Sequence, residues 1–208
     1  MGLFDFLTYK KFNTCKWQKY GLKKRVKLFQ KMEKIMAKKM KRPMFYVVPQ
    51  DFGSDINGQC NYAEQVIYIN GAFFTEPNLQ FYGLATLFHE ERHAQQHNIV
   101  KSKKYICRFS KAYKWRQNML GYINYDGNDK YSYYSMQEIE RDANKYAIER
   151  LKKLEYWWRK DKYYYKTLEL KIQQFGDVKN LAKKELGIFY KWKLKRRQKK
   201  ELKKNGEE

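Results

Sequence analysis

Histidine is almost missing from this chain: there are three in 208 residues, all within residues 89–97. No histidine from elsewhere can therefore complete a site built in that segment. Cysteine is equally scarce. Cys15, Cys60 and Cys107 are odd in number and show no CxxC spacing, which argues against a disulfide framework and for a reducing compartment. Cysteine ligation of zinc is disfavoured by the same count. No apolar run approaches the length of a membrane span, and Met1-Gly2-Leu3-Phe4-Asp5-Phe6-Leu7 lacks both the basic start and the long apolar stretch of a signal peptide. Phe6 also stands where an N-myristoylation signal wants Ser or Thr. Internal repeats and low-complexity linkers are absent too.

Acidic residues are outnumbered, 22 Asp plus Glu against 45 Lys plus Arg, for a net charge of +23. A surplus of this size draws the protein to polyanions: nucleic acid, an anionic membrane face or an anionic cell-wall polymer. With 43% hydrophobic and 18% aromatic residues the chain has ample material for a core, so it is not disordered overall.

The three histidines lie in His89-Glu90-Glu91-Arg92-His93-Ala94-Gln95-Gln96-His97. On a helix, residues four apart share a face, so His89 and His93 can offer two imidazole nitrogens to one zinc ion while Glu90 reaches a zinc-bound water. His97 is a poor third ligand. Eight residues of helix separate it from His89 by about 12 Å, and no Gly or Pro breaks the helix between them. The third ligand is expected to be a carboxylate or a cysteine.

The segment from Met136 to about Leu154 reads as a helix whose apolar stripe is Met136, Ala143, Ala147, Leu151 and Leu154. Glu140 falls inside that stripe, whereas Glu138 falls on the charged side with Asp142, Lys145 and Glu149. A carboxylate facing small apolar residues needs a metal or a cation, which favours Glu140 over Glu138 as ligand. A buried salt bridge to Lys or Arg is the competing explanation for Glu140.

His89-Glu90-x-x-His93 followed by Glu140-x-x-Ala143-Asn144-x-Tyr146-Ala147 resembles the glutamate-type (gluzincin-like) HExxH zinc metallopeptidases, in particular their minimal phage and mobile-element members. Gly58 to Asn70 is similar to the β-hairpin ending in an active-site edge strand that precedes the motif helix in such proteins. The resemblance spans about residues 43–154. It implies that His89, His93 and Glu140 hold Zn2+, that Glu90 is the general base, and that Asn144 orients the first histidine. It departs from the pattern in having Asn144 where many relatives have Asp, and no histidine for an oxyanion-stabilising role. Tyr122, Tyr125, Tyr131, Tyr133, Tyr134 or an arginine of the connection are the candidates for that role. The same ligand set also suits iron or manganese, with zinc preferred on a helical HExxH.

Elsewhere, Leu22, Val26, Phe29, Met32, Met36 and Met40 predict an amphipathic helix ending before Pro43, packed on the domain or lying on a membrane surface. Phe45-Tyr46-Val47-Val48 reads as a strand, Thr75-Glu76-Pro77 as a capped helix start, residues 107–122 as a short helix, and Asp126-Gly127-Asn128-Asp129 as a turn. Aromatics and cations interleave through Glu155-Tyr156-Trp157-Trp158-Arg159-Lys160 and Tyr163-Tyr164-Tyr165-Lys166, a composition suited either to stacking on bases or to a core. Lys191 to Lys200 is mostly cationic.

The expected fold is α+β: residues 1–42 a basic amphipathic helix, 43–154 a minimal zincin-like domain with a small, mostly antiparallel sheet, the HExxH helix and the Glu-bearing helix, and 155–208 a basic aromatic helical extension. The expected function is zinc-dependent hydrolysis of a protein or peptide substrate by a Glu90-activated water. The alternative is a virion-associated or nucleic-acid-binding structural protein on a zincin-like scaffold. The expected location is the cytoplasm, or the virion if phage-encoded.

Overall fold

The computed structural model describes residues 7–53, 56–102, 107, 110–123 and 133–185, and residues 196, 198–200 and 203 of the tail. The turn expected at Asp126 to Asp129, Tyr125, Tyr131, the side chain of Tyr133 and most of the Lys191 to Lys200 tail lie outside these residues. The fold is mixed α+β, dominated by helix, with one small sheet.

After a 3-10 turn at Lys10–Phe12 and a one-turn helix at Thr14–Trp17 comes α1, Leu22–Met40. Leu28, Phe29, Met32 and Met36 form its buried face, at three- and four-residue spacing. Leu22, expected on that face, is 52% exposed in the first turn. The helix ends where Lys41 takes the left-handed conformation (φ 53°), and the Arg42 N–H bonds back to the Ala37 carbonyl before Pro43.

Three strands follow: β1 (Tyr46–Gln50), β2 (Gly58–Asn61) and β3 (Val66–Asn70). The expected hairpin is present as the antiparallel pair β2–β3, but β3 also pairs with β1, and that pairing is parallel. The sheet is thus mixed rather than mostly antiparallel. The hairpin's last strand, β3, was expected at the sheet edge but is central, flanked by β1 and β2, and the edge beside the hairpin is β2. Val47, Ile67 and Ile69 face the core. The outer edge of β1 is closed by a side chain, since Gln30 of α1 accepts from Val47 N–H and donates to the Phe45 carbonyl, both at 2.9 Å.

A one-turn helix at Ala72–Thr75 precedes α2 (Gln80–Lys101), so Thr75 ends a helix instead of starting one. Helices α3 (Lys111–Leu120), α4 (Glu138–Trp158) and α5 (Lys162–Glu185) complete the order, with one further turn at Tyr133–Met136. Among the described residues no helix is long and apolar enough to cross a membrane.

Packing divides the chain into two compact units, Met1–Gln95 with Tyr146–Lys171, and Gln96–Lys145 with Ile172–Glu208. Helices α2 and α4 each contribute to both. The first unit has an aromatic centre in which Phe12 stacks on Trp17 (5.7 Å between ring centroids) and Phe81 meets Trp158 edge-on (5.1 Å). Trp158 and Tyr164, drawn from the cation-interleaved stretch, are buried here, with Trp158 donating to the Tyr9 carbonyl and Tyr164 to the Leu151 carbonyl. Stacking on bases is therefore not open to these two rings. Asp161 ties the first unit's chain ends: it accepts from the Thr14 N–H and hydroxyl and caps α5 through Tyr163 N–H. The second unit gathers Ala112, Trp115 and Ile139 with Ile99, Val100, Met119 and Tyr122.

Candidate metal centre

Leu84, Ala85, Leu87, Phe88 and Ala94 are buried and fix the rotation of α2. The four-residue spacing on this helix brings the His89 and His93 rings together, centroids 4.6 Å apart, with Nε2 facing Nε2 at 2.9 Å. Two imidazole lone pairs at this distance repel unless a proton or a cation lies between them. Glu90 is buried beside the sheet. A Cβ added to Gly58 of β2 would stand 2.6 Å from Thr86 Cγ2 and 3.4 Å from Glu90 Cγ, so the first residue of β2 lies against the motif helix with no room for a side chain. Cys60, on the same strand, has its thiol pushed well up by burial and then by the Glu90 carboxylate.

The other acid of the motif has a different place. Glu91 is buried, and burial first, then the Glu33 charge, raises its pKa well above the usual carboxylate range. Glu33 itself is held by Arg42 in a two-pronged ion pair (2.7 Å on each prong) and accepts from Phe45 N–H at 2.7 Å. Arg92 and Arg150 both lie on the Tyr146 ring, 5.3 and 5.5 Å from its centroid.

In the second unit, Glu140 sits in the first turn of α4 and is fully buried. Tyr122 donates its hydroxyl to Glu140 Oε1 at 2.7 Å, and burial together with the Glu140 charge holds that phenol in its protonated form. Tyr122 is placed by Gln137, whose buried amide pairs with both the N–H and the carbonyl of Ile123. The Ile139 N–H, at the start of α4, is capped by Asn118 Oδ1 at 3.2 Å. Gln96, also buried, donates to the Ile139 carbonyl and to Asp142 Oδ2 at 2.9 Å, while Asp142 Oδ1 pairs with Lys111. Asp142 was expected on the charged side; its side chain is only 8% exposed because Gln96 and Lys111 hold it. Glu138 does face outward, its side chain 33% exposed and 4.0 Å from Lys114.

His89, His93 and Glu140 present ligand atoms that all lie within 4.8 Å of one another. Ligands on one tetrahedral zinc at about 2.0–2.2 Å each stand about 3.3–3.6 Å apart, so to hold an ion the carboxylate would move inward and the two imidazole nitrogens, 2.9 Å apart, would open slightly. Two imidazoles and one carboxylate also match the donor set that zinc takes when it keeps one position for water. His97 is outside the cluster, and burial and then Lys101 lower its pKa. Asn144 is half-buried, one helical turn past Glu140.

No family model, curated protein or solved structure matches the chain.

Tyr122, expected among the candidates for stabilising an oxyanion, instead donates its hydroxyl to Glu140, a role the sequence did not suggest, and the sequence reading also missed Gln96 and Gln137. Gln96 was discoverable: it lies three residues past His93 and seven past His89, on the face of the two histidines. Gln137 gave no periodic signal, since it precedes the helix that it braces.

Proposed function

We propose that the protein is a zinc-dependent metallopeptidase. The observation that carries this reading is the meeting of His89, His93 and Glu140, with Glu90 buried beside the first histidine. His89, His93 and Glu140 would hold the ion, which would supply a water of lowered pKa and a Lewis acid for the scissile carbonyl. Glu90 would accept a proton from the attacking water and return it to the leaving amine. Tyr122 orients Glu140 by donating its hydroxyl to one of the carboxylate oxygens. β2 is an outer strand, and an extended peptide laid along it would pass Glu90. The small mixed sheet does not fit a zincin-like fold, so the reading rests on the three ligand residues and Glu90 and not on the fold.

The test is cleavage of a quenched peptide library by zinc-loaded protein, wild type beside Glu90→Gln. Loss of a general base lowers turnover by about 10²–10⁴-fold with metal content unchanged. Equal turnover in the two proteins, or no cleavage by a zinc-loaded wild type, would reject the assignment.

A further inference from the structure

The outward face of α1 carries a line of lysines. Lys24, Lys27, Lys31, Lys34, Lys38 and the capping Lys41 follow one another at three- and four-residue steps, and all are exposed. The one acidic residue of α1, Glu33, is buried and taken by Arg42, so no carboxylate of this helix offsets the line. No ion pair involving these lysines is present among the described residues.

Two polyanions compete for such a face. An amphipathic helix lying on a membrane inserts its apolar side, but Leu28, Phe29, Met32 and Met36 are 0–3% exposed in the core and not available. What remains for a partner is charge alone. From Lys24 to Lys41 the line is about 25 Å long at 1.5 Å rise per residue, the length of about seven phosphates on one strand of a duplex. Regularly spaced cations opposite regularly spaced phosphates, with no apolar component, is the chemistry of sequence-independent duplex contact.

We infer that α1 is a nucleic-acid docking face that binds the phosphate backbone of duplex DNA or RNA through Lys24, Lys27, Lys31, Lys34, Lys38 and Lys41. This inference does not depend on the metal centre.

The experiment is a fluorescence-anisotropy titration of the full-length protein with a 25-base-pair duplex of arbitrary sequence across a salt series. Lys27→Gln, Lys31→Gln, Lys34→Gln and Lys38→Gln combined is compared with an equal charge removal elsewhere, Lys152→Gln, Lys153→Gln, Lys160→Gln and Lys166→Gln. Wild type is expected to bind with a steep salt dependence, and the α1 variant to lose about three to four units of log–log slope, from 0.9 per phosphate contact. The second variant should lose less than one unit, with both melting as wild type does. Equal loss in the two variants would show diffuse attraction and overturn the proposal. So would an unchanged slope in the α1 variant, absence of binding at low salt, or tighter binding to phosphatidylserine vesicles than to the duplex.

Discussion

Tyr122 donates its hydroxyl to Glu140 Oε1 at 2.7 Å, so one oxygen of the buried carboxylate is held by a half-buried phenol. Carboxylate ligands braced in this way are oriented before the metal arrives. Tyr122→Phe is expected to weaken zinc affinity about 10–100-fold, read by competition against a chromophoric chelator. Unaltered affinity would mean that the hydroxyl does not position the ligand.

The Glu33–Arg42 pair, with neither side chain exposed, gives a stability prediction independent of metal. Arg42→Met leaves the Glu33 carboxylate buried without its cation, and is expected to lose about 3–5 kcal/mol in urea unfolding. Adding Glu33→Gln, which still offers Phe45 N–H an acceptor, should recover part of the loss. Additive losses in the double variant would contradict a direct pair.

Gly58→Ala tests the seating of β2 on the motif helix. The new methyl would meet Thr86 Cγ2 at 2.6 Å and the Tyr68 carbonyl at 2.9 Å, and overpacking of this kind costs about 1–3 kcal/mol. Thr86→Ser removes the first clash but not the second, so it should rescue partially. A neutral Gly58→Ala in thermal melts would show that β2 does not lie so close.

His97 supplies the pH prediction. Burial and Lys101 depress its folded pKa below the unfolded value of about 6.5, so the folded state prefers the neutral ring. That preference contributes stability above pH 6.5 and is lost as pH falls through the lower folded pKa. His97→Gln should therefore show a shallower decline in stability between about pH 7 and 5 than wild type, with zinc content unchanged. An identical decline, or loss of zinc, would show that the ring has another role.

Much of the site was readable before the fold. Four-residue spacing paired His89 with His93, and the stripe of Ala143, Ala147 and Leu151 turned Glu140 inward while leaving Glu138 at the surface. The hairpin of β2 and β3 was expected only from the resemblance, and the antiparallel pairing is present. The parallel β1–β3 pairing was not legible, because strand order is decided by which neighbour packs and not by either strand's own pattern. Tyr9, Phe12 and Trp17 enter the aromatic centre from segments too short to show a period. Asp142 looked solvated because its partners, Gln96 and Lys111, come from other helices. Trp158 and Tyr164 illustrate the limit of composition: lysines and arginines beside them in sequence say nothing about which way the rings turn.

The most direct test of the metal centre is zinc content by mass spectrometry on protein purified without chelator, wild type beside Glu140→Gln, Glu138→Gln and His89→Ala. One zinc per chain is expected in wild type and Glu138→Gln, with Glu140→Gln and His89→Ala depleted. A folded, metal-free wild type, or a Glu140→Gln variant that holds zinc as tightly as wild type, would contradict the assignment.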